Sequence, residues 1–205
     1  MRDLDRALTE IGEIRSKVAA GTAFRGYGPV AVCATALVGP VTAVAQMLWL
    51  RDPSANPVWF VNCWLGAAAF SVVIVRVEME GRSRRLHSGL ADAMIHQAME
   101  QFLPAAAACI ALPLLLLQIA PQSCWMLPGL WQLFVSLGIF GSLRSLPRGV
   151  SLVGGWYFLS AFVCLMLASR DHLLSPWLMG LPFLIGQSVM AAVLYFSAGD
   201  GDGEE

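Results

Sequence analysis

Three side chains that could do acid–base or metal chemistry recur at four-residue intervals in one segment of the chain: Asp92, His96 and Glu100. In an α-helix a step of four residues turns about 40° past a full rotation, so the three would lie within an arc of about 80°. Gln97 and Gln101 flank that arc. Two carboxylates and an imidazole on one helix face could bind a divalent metal ion, relay protons, or pair with one another.

Three interpretations of this cluster stay open. The first is structural ion pairing, because aspartate four residues before histidine is an ordinary helix pair and three arginines are near in sequence: Arg82, Arg84 and Arg85. The second is a proton or ion relay. The third is a divalent metal site, whose candidate ligands are His87, Asp92, His96 and Glu100. No recognised metal motif joins these residues, and the sequence predicts no other cofactor.

The elements that must position the cluster are membrane spans. Of the 205 residues, 57% are hydrophobic and only 13% are charged, against about 25% charged in a typical soluble domain. Six apolar stretches are each long enough to cross a bilayer, which takes about 20 helical residues. They lie near 29–50, 58–76, 100–119, 125–143, 150–168 and 176–196. The sequence therefore predicts an all-α polytopic membrane protein with a six-helix transmembrane domain over residues 26–198.

The basic residues predict the orientation of these spans. Eleven of the thirteen precede the first stretch or follow the second or fourth, and only Arg51 and Arg170 lie in the alternate gaps. Short loops rich in lysine and arginine stay in the cytoplasm. Both termini are therefore expected to be cytoplasmic. Glu100 then lies where the third span enters the membrane, and an ionisable group at membrane depth is costly and often functional.

The two ends of the chain differ in character. Residues 1–25 are predicted to form a cytoplasmic amphipathic helix, because apolar residues recur at three and four positions: Leu4, Leu8, Ile11, Ile14 and Val18. Such a helix could lie on the membrane, fold against its own cytoplasmic loop, dock on a partner, or dimerise. Residues 199–205 contain only glycine and acidic residues, and are expected to be a disordered tail.

Polar and aromatic residues within the spans suggest how the helices pack. Three glutamines, Gln46, Gln132 and Gln187, are expected to hydrogen-bond between helices or to line a translocation path. Tryptophan and tyrosine prefer the headgroup region, and they occur near predicted outer ends (Trp49, Trp59, Trp125, Trp177) and inner ends (Tyr27, Trp156, Tyr157, Tyr195). Small residues in the fourth to sixth spans favour close helix contact.

Three segments resemble an uncharacterised group of bacterial multi-span inner-membrane proteins. They are Phe24-Arg25-Gly26-Tyr27-Gly28-Pro29, Leu127-Pro128-Gly129-Leu130-Trp131 through Leu146-Pro147-Arg148, and Ser175-Pro176-Trp177-Leu178-Met179-Gly180-Leu181-Pro182-Phe183. The resemblance covers about a third of the chain. It implies a bacterial inner membrane and carries no activity or site residues.

The functional expectation follows from what is present and what is missing. The sequence has no nucleotide-binding loop, nucleophile elbow or zinc-protease motif, and its net charge of −1 argues against a nucleic-acid partner. The leading hypothesis is a non-enzymatic component that acts through a protein partner, by residues 1–20 and the basic segment 76–88. Alternatives are a small proton- or ion-coupled transporter or channel using Glu100 and His96, and a membrane enzyme with a cytoplasmic-face site. Homo-oligomers are compatible with each.

Overall fold

A computed structural model describes residues 29–50, 52–86, 89–143, 146 and 149–199. Nearly all of this part of the chain is helical, and it contains no β-strand, which confirms the all-α prediction. The helices are α1 (Pro29–Trp49), α2 (Pro57–Leu86), α3 (Gly89–Ile119), a short 3-10 helix (Pro121–Met126), α4 (Leu127–Ser142), α5 (Val150–Asp171) and α6 (Trp177–Gly199). The predicted helix over residues 1–25 lies outside the described residues.

Six segments are long and apolar enough to cross a membrane, as the sequence predicts. They are Ala31–Trp49, Pro57–Glu78, Met99–Ile119, Pro121–Ser142, Val150–Asp171 and Trp177–Phe196. The 3-10 helix and α4 together form the fourth of them. Six such helices indicate a multi-pass membrane protein.

The connections at one end of the bundle are short and held by local hydrogen bonds. This loop end contains residues 50, 52–56, 120 and 172–176. The opposite end, where α1 begins and α6 ends, is called the terminal end. The backbone N–H of Leu174 donates to Ser54 Oγ at 2.9 Å, which joins two of the connections. His172 ends α5 with a left-handed φ of 52°, and its N–H donates to the carbonyl of Ala168. This geometry satisfies a terminal carbonyl of the helix.

Helices α1 and α6 make the most extensive contact in the bundle, followed by α4 with α5. The α1–α6 contact depends on two glycines. A Cβ atom built on Gly180 would lie 2.9 Å from Ala43 Cβ and 3.3 Å from the carbonyl oxygen of Gly39. The two backbones can approach this closely only because no side chain separates them, which is the usual packing device within lipid.

Three apolar clusters lie in the described interior, and the smallest joins Val32 of α1 to Ala191 and Leu194 of α6. At the loop end, Phe60 and Trp64 of α2 pack with Leu127 and Trp131 and with residues of α1 and α6. Toward the terminal end, a second cluster centres on Tyr157 and joins α4, α5 and α6. Apolar side chains therefore form the described interior at both levels.

Helices α2 and α3 lie at the edge of the bundle. Only 17% of the most apolar stretch of α2 and 6% of that of α3 is buried, against 50% for the fourth span. Their direct contact with each other is small. Most of their apolar surface therefore faces the surroundings, where only lipid or another membrane helix suits it.

The aromatic residues are only partly where the sequence predicts them. Trp49 and Trp59 are exposed at the loop end, as expected for headgroup anchors. Tyr157, predicted to lie at the headgroups, is instead 1% exposed, with its ring packed against Phe183 and over Gly186. The prediction failed because Gly186 leaves room in α6 for a ring inside the bundle.

Candidate functional site

The predicted acid–base cluster lies on one continuous helix. Because α3 runs unbroken from Gly89 to Ile119, its backbone provides the four-residue spacing that places Asp92, His96 and Glu100 on one face. The side chains of Asp92, His96 and Gln97, and all of His87, lie outside the described residues. The ion-pair, relay and metal hypotheses therefore stay predictions.

The two cluster members with described side chains differ in environment. Glu100 is exposed on the surface of α3, while its neighbour Gln101 is half-buried. The Gln101 side-chain oxygen Oε1 is buried and accepts no hydrogen bond. On the same helix, Phe102 contacts α4 at Gly138, so this part of α3 packs on α4. The start of the apolar stretch of α3 thus combines an exposed carboxylate with a buried, unbonded acceptor.

Helices α2 and α3 extend well beyond their apolar stretches at the terminal end. Residues 79–86 of α2 add about 12 Å, and residues 89–98 of α3 add about 15 Å, at 1.5 Å per residue. Only residues 87–88 separate the two helices, and a connection this short joins antiparallel neighbours. We call residues 79–98 the helical extension. It carries Asp92 and His96 of the predicted cluster together with Arg82, Arg84 and Arg85.

Interior polar side chains bind carbonyls that prolines have left free. Pro182 has no N–H, so the carbonyl of Leu178, four residues earlier in α6, lacks its usual helical partner. Gln132 Nε2 of α4 donates to that carbonyl at 2.8 Å, and Cys164 Sγ of α5 lies 3.3 Å from it. Gln132 is fully buried. One carbonyl therefore ties α4, α5 and α6 together.

The same arrangement occurs in α3. Pro113 removes the N–H that would bind the carbonyl of Cys109, and Trp131 Nε1 of α4 donates to that carbonyl at 2.7 Å. The bond fixes the otherwise sparsely buried α3 to α4. Sequence reasoning singled out Gln132 but missed the role of Trp131. The carbonyl that each proline leaves free can be located in the sequence, four residues earlier. Its donor can be identified only when it is known which helices are neighbours.

The mid-span glutamines make contacts between helices, which supports the packing interpretation of the sequence. Gln46 Nε2 of α1 donates to the carbonyl of Phe60 in α2 at 3.1 Å. Gln187 Oε1 of α6 lies 3.5 Å from the hydroxyl of Thr35 in α1. Each glutamine side chain is thus engaged by a neighbouring helix.

Within the side chains that the structure describes, no three His, Cys, Asp or Glu residues are grouped as metal ligands. Comparison of the chain with protein-family models, with curated proteins and with solved structures finds no match, so the resemblance noted above depends on its quoted residues alone.

Proposed function

We propose that this chain is a multi-pass protein of a bacterial inner membrane, with both termini in the cytoplasm, that acts non-enzymatically by binding a protein partner. The cytoplasmic orientation is supported by the distribution of the eleven basic residues. The proposed docking surface is the basic segment 76–88, most of which lies in the helical extension, together with residues 1–20.

The observation that carries the proposal is the length of α2 and α3. Thirty and thirty-one residues are about ten more than a bilayer crossing needs. Bilayer thickness does not explain these extra turns, and they hold most of the charged residues between the second and third spans. A charged helical hairpin outside the bilayer suits recognition by an oppositely charged or amphipathic protein surface.

The interior supports the same proposal. At both levels the described interior is formed by apolar clusters, and Gln46 and Gln132 donate to helix carbonyls. These groups hold helices together and give no lining for a wide polar path. A structural and interaction role therefore agrees better with the described interior than a transport path does.

The docking proposal predicts site-specific crosslinking in cells. A photo-crosslinking residue at position 84 is expected to give a discrete protein adduct, and one at position 170 none. Replacing Arg82 and Arg85 with alanine should weaken binding of the partner by about tenfold, and so reduce the adduct, since each exposed ion pair contributes up to about 1 kcal/mol. Deleting residues 1–20 should also reduce the adduct. Equal adducts from positions 84 and 170, or none from either, would contradict the proposal.

One observation favours a second candidate, a proton- or ion-coupled transporter using Glu100 and His96. The buried, unbonded Oε1 of Gln101 beside Glu100 could accept a hydrogen bond from water or from a hydrated cation. For this candidate, Glu100→Gln should slow proton flux into proteoliposomes by about a hundredfold, because a positioned proton-transfer group contributes at least that much. Asp171→Asn, at the other end of the bundle, is the control. Flux equal to that of empty liposomes would exclude this candidate.

A further inference from the structure

The hydroxyl of Tyr157 is a buried hydrogen-bond donor without a partner. Tyr157 is 1% exposed, and its hydroxyl makes no hydrogen bond to any described residue. The ring is held in place because it packs on Phe183 and lies directly over Gly186, where a built Cβ would be 2.5 Å from the hydroxyl oxygen. Nearly all buried polar side-chain atoms are hydrogen-bonded to protein or to ordered water, so this hydroxyl requires an acceptor at its own position.

Gln187 provides one oxygen acceptor beside this hydroxyl. It follows Gly186 in α6 and faces the Tyr157 hydroxyl, but the contact lacks the geometry of a hydrogen bond. Gln187 Oε1 also lies 3.5 Å from Thr35 Oγ1. The single proton of the threonine hydroxyl is donated to the Val32 carbonyl at 2.8 Å, so the longer contact joins two acceptors. Gln187 Oε1 therefore keeps lone pairs for another donor.

The carbonyl of Ala36 provides a second acceptor at the same level of the bundle. Pro40 has no N–H, so this carbonyl, four residues earlier in α1, lacks its usual helical partner. Thr35 lies opposite Gln187, and Gly39 contacts α6 one turn earlier. Ala36 lies between these two positions and is buried. The register of α1 and α6 thus places its carbonyl near the level of the unpaired hydroxyl.

This polar level separates two apolar clusters inside the membrane. The cluster centred on Tyr157 and the small cluster of Val32, Ala191 and Leu194 are distinct, so apolar packing is not continuous between them. Thr35, Tyr157 and Gln187 lie roughly 6 to 14 Å inside the terminal-end limits of their spans, at 1.5 Å per residue. Bulk water is therefore remote from the polar groups.

We propose that one buried water molecule binds at this junction of α1, α5 and α6. It accepts a hydrogen bond from the Tyr157 hydroxyl and donates to Gln187 Oε1 and to the Ala36 carbonyl. Three hydrogen bonds are typical of a buried water, and polar sites hold water where apolar cavities stay dry. A cation suits the site less well, because these oxygens are all neutral and an uncompensated charge at membrane depth is costly. The site is independent of the proposed partner.

Tyr157→Phe tests the site by the sign of its effect on stability in mixed micelles. Loss of a hydroxyl that is hydrogen-bonded to water should raise the unfolding equilibrium constant about fivefold, the factor for one net hydrogen bond. Loss of an unpaired hydroxyl should leave that constant unchanged or lower it. Tyr195→Phe is the matched control, because it removes the same group from an exposed ring of α6 and should change nothing.

Pro40→Ala tests the second acceptor. Alanine at this position restores an N–H that can bind the Ala36 carbonyl within α1. The water then loses one of its two acceptors, so Tyr157→Phe should raise the unfolding constant only about twofold in this background. An equal effect of Tyr157→Phe in both backgrounds would overturn the three-bond site.

A crystal structure grown from a lipidic mesophase, at a resolution that shows ordered water, gives the direct observation. We expect one water within about 3 Å of Tyr157 Oη and of Gln187 Oε1, and none there in Tyr157→Phe. A direct hydrogen bond between Tyr157 and Gln187 with no water between them would overturn the proposal. A Tyr157→Phe protein as stable as the wild type, or more stable, would also overturn it.

Discussion

Gly180→Leu is expected to reduce the free energy of unfolding by about 3 kcal/mol, the upper range for overpacking in a filled interior. The position lies in the α1–α6 contact, where even a Cβ atom would be 2.9 Å from Ala43 Cβ. It would also meet the backbone carbonyl of Gly39 at 3.3 Å, and a backbone atom cannot rotate away as a side chain can. The larger side chain must therefore separate the two helices.

Unfolding in mixed micelles titrated with denaturing detergent would measure this loss. Gly155→Leu makes the same chemical change where nothing lies within 4 Å, and should alter the free energy of unfolding by less than about 0.5 kcal/mol. If the two variants had equal stability, close approach at Gly180 would not be what holds α1 against α6.

Gln132→Met is expected to reduce the free energy of unfolding by about 1.5 kcal/mol, near the upper end of hydrogen-bond contributions measured inside membranes. Methionine keeps the volume of the side chain but cannot donate to the carbonyl of Leu178. The thiol of Cys164 remains nearby at 3.3 Å, and it is only a weak donor. The carbonyl freed by Pro182 would then be left without a strong donor in the interior.

A double-mutant cycle tests this explanation. Pro182→Ala restores an N–H that can bind the Leu178 carbonyl within α6, so Gln132→Met should cost about 1 kcal/mol less in that background. Gln46→Met is the control. Gln46 donates to the carbonyl of Phe60, so this substitution should reduce the free energy of unfolding by the same amount in both backgrounds. An unchanged cost of Gln132→Met would mean that its amide does not compensate for the proline.

The small residues show how far sequence reasoning reaches into packing. Small residues in the later spans predict close helix contacts, and Gly180 and Gly186 do make them, with Gly39 and with Tyr157. Gly155, which belongs to the same pattern, faces open space. Residue size alone cannot tell which glycine is at an interface, because that depends on which helix lies opposite.

The candidate cluster illustrates the same limit. Its four-residue spacing and its place on a helix could be predicted, and α3 is helical throughout that segment. The exposure of Glu100 and the buried, unbonded oxygen of Gln101 could not be predicted, because both depend on how α3 packs on α4. The helical extension lies between these cases, since its charged residues could be read from the sequence but the continuation of α2 from residue 76 to Leu86 was not predicted.

By itself the sequence determined the helical class and the number of spans, because a bilayer requires each crossing segment to be apolar and to satisfy its own backbone hydrogen bonds. Both requirements act on contiguous residues, so they can be read along the chain. Tertiary structure alone decided which helices are neighbours, why Tyr157 is interior, and how Gln132 and Trp131 bind proline-freed carbonyls. Helices that are apolar on every side carry no periodic pattern to mark the buried face, so lateral packing depends on the fit between residues distant in sequence.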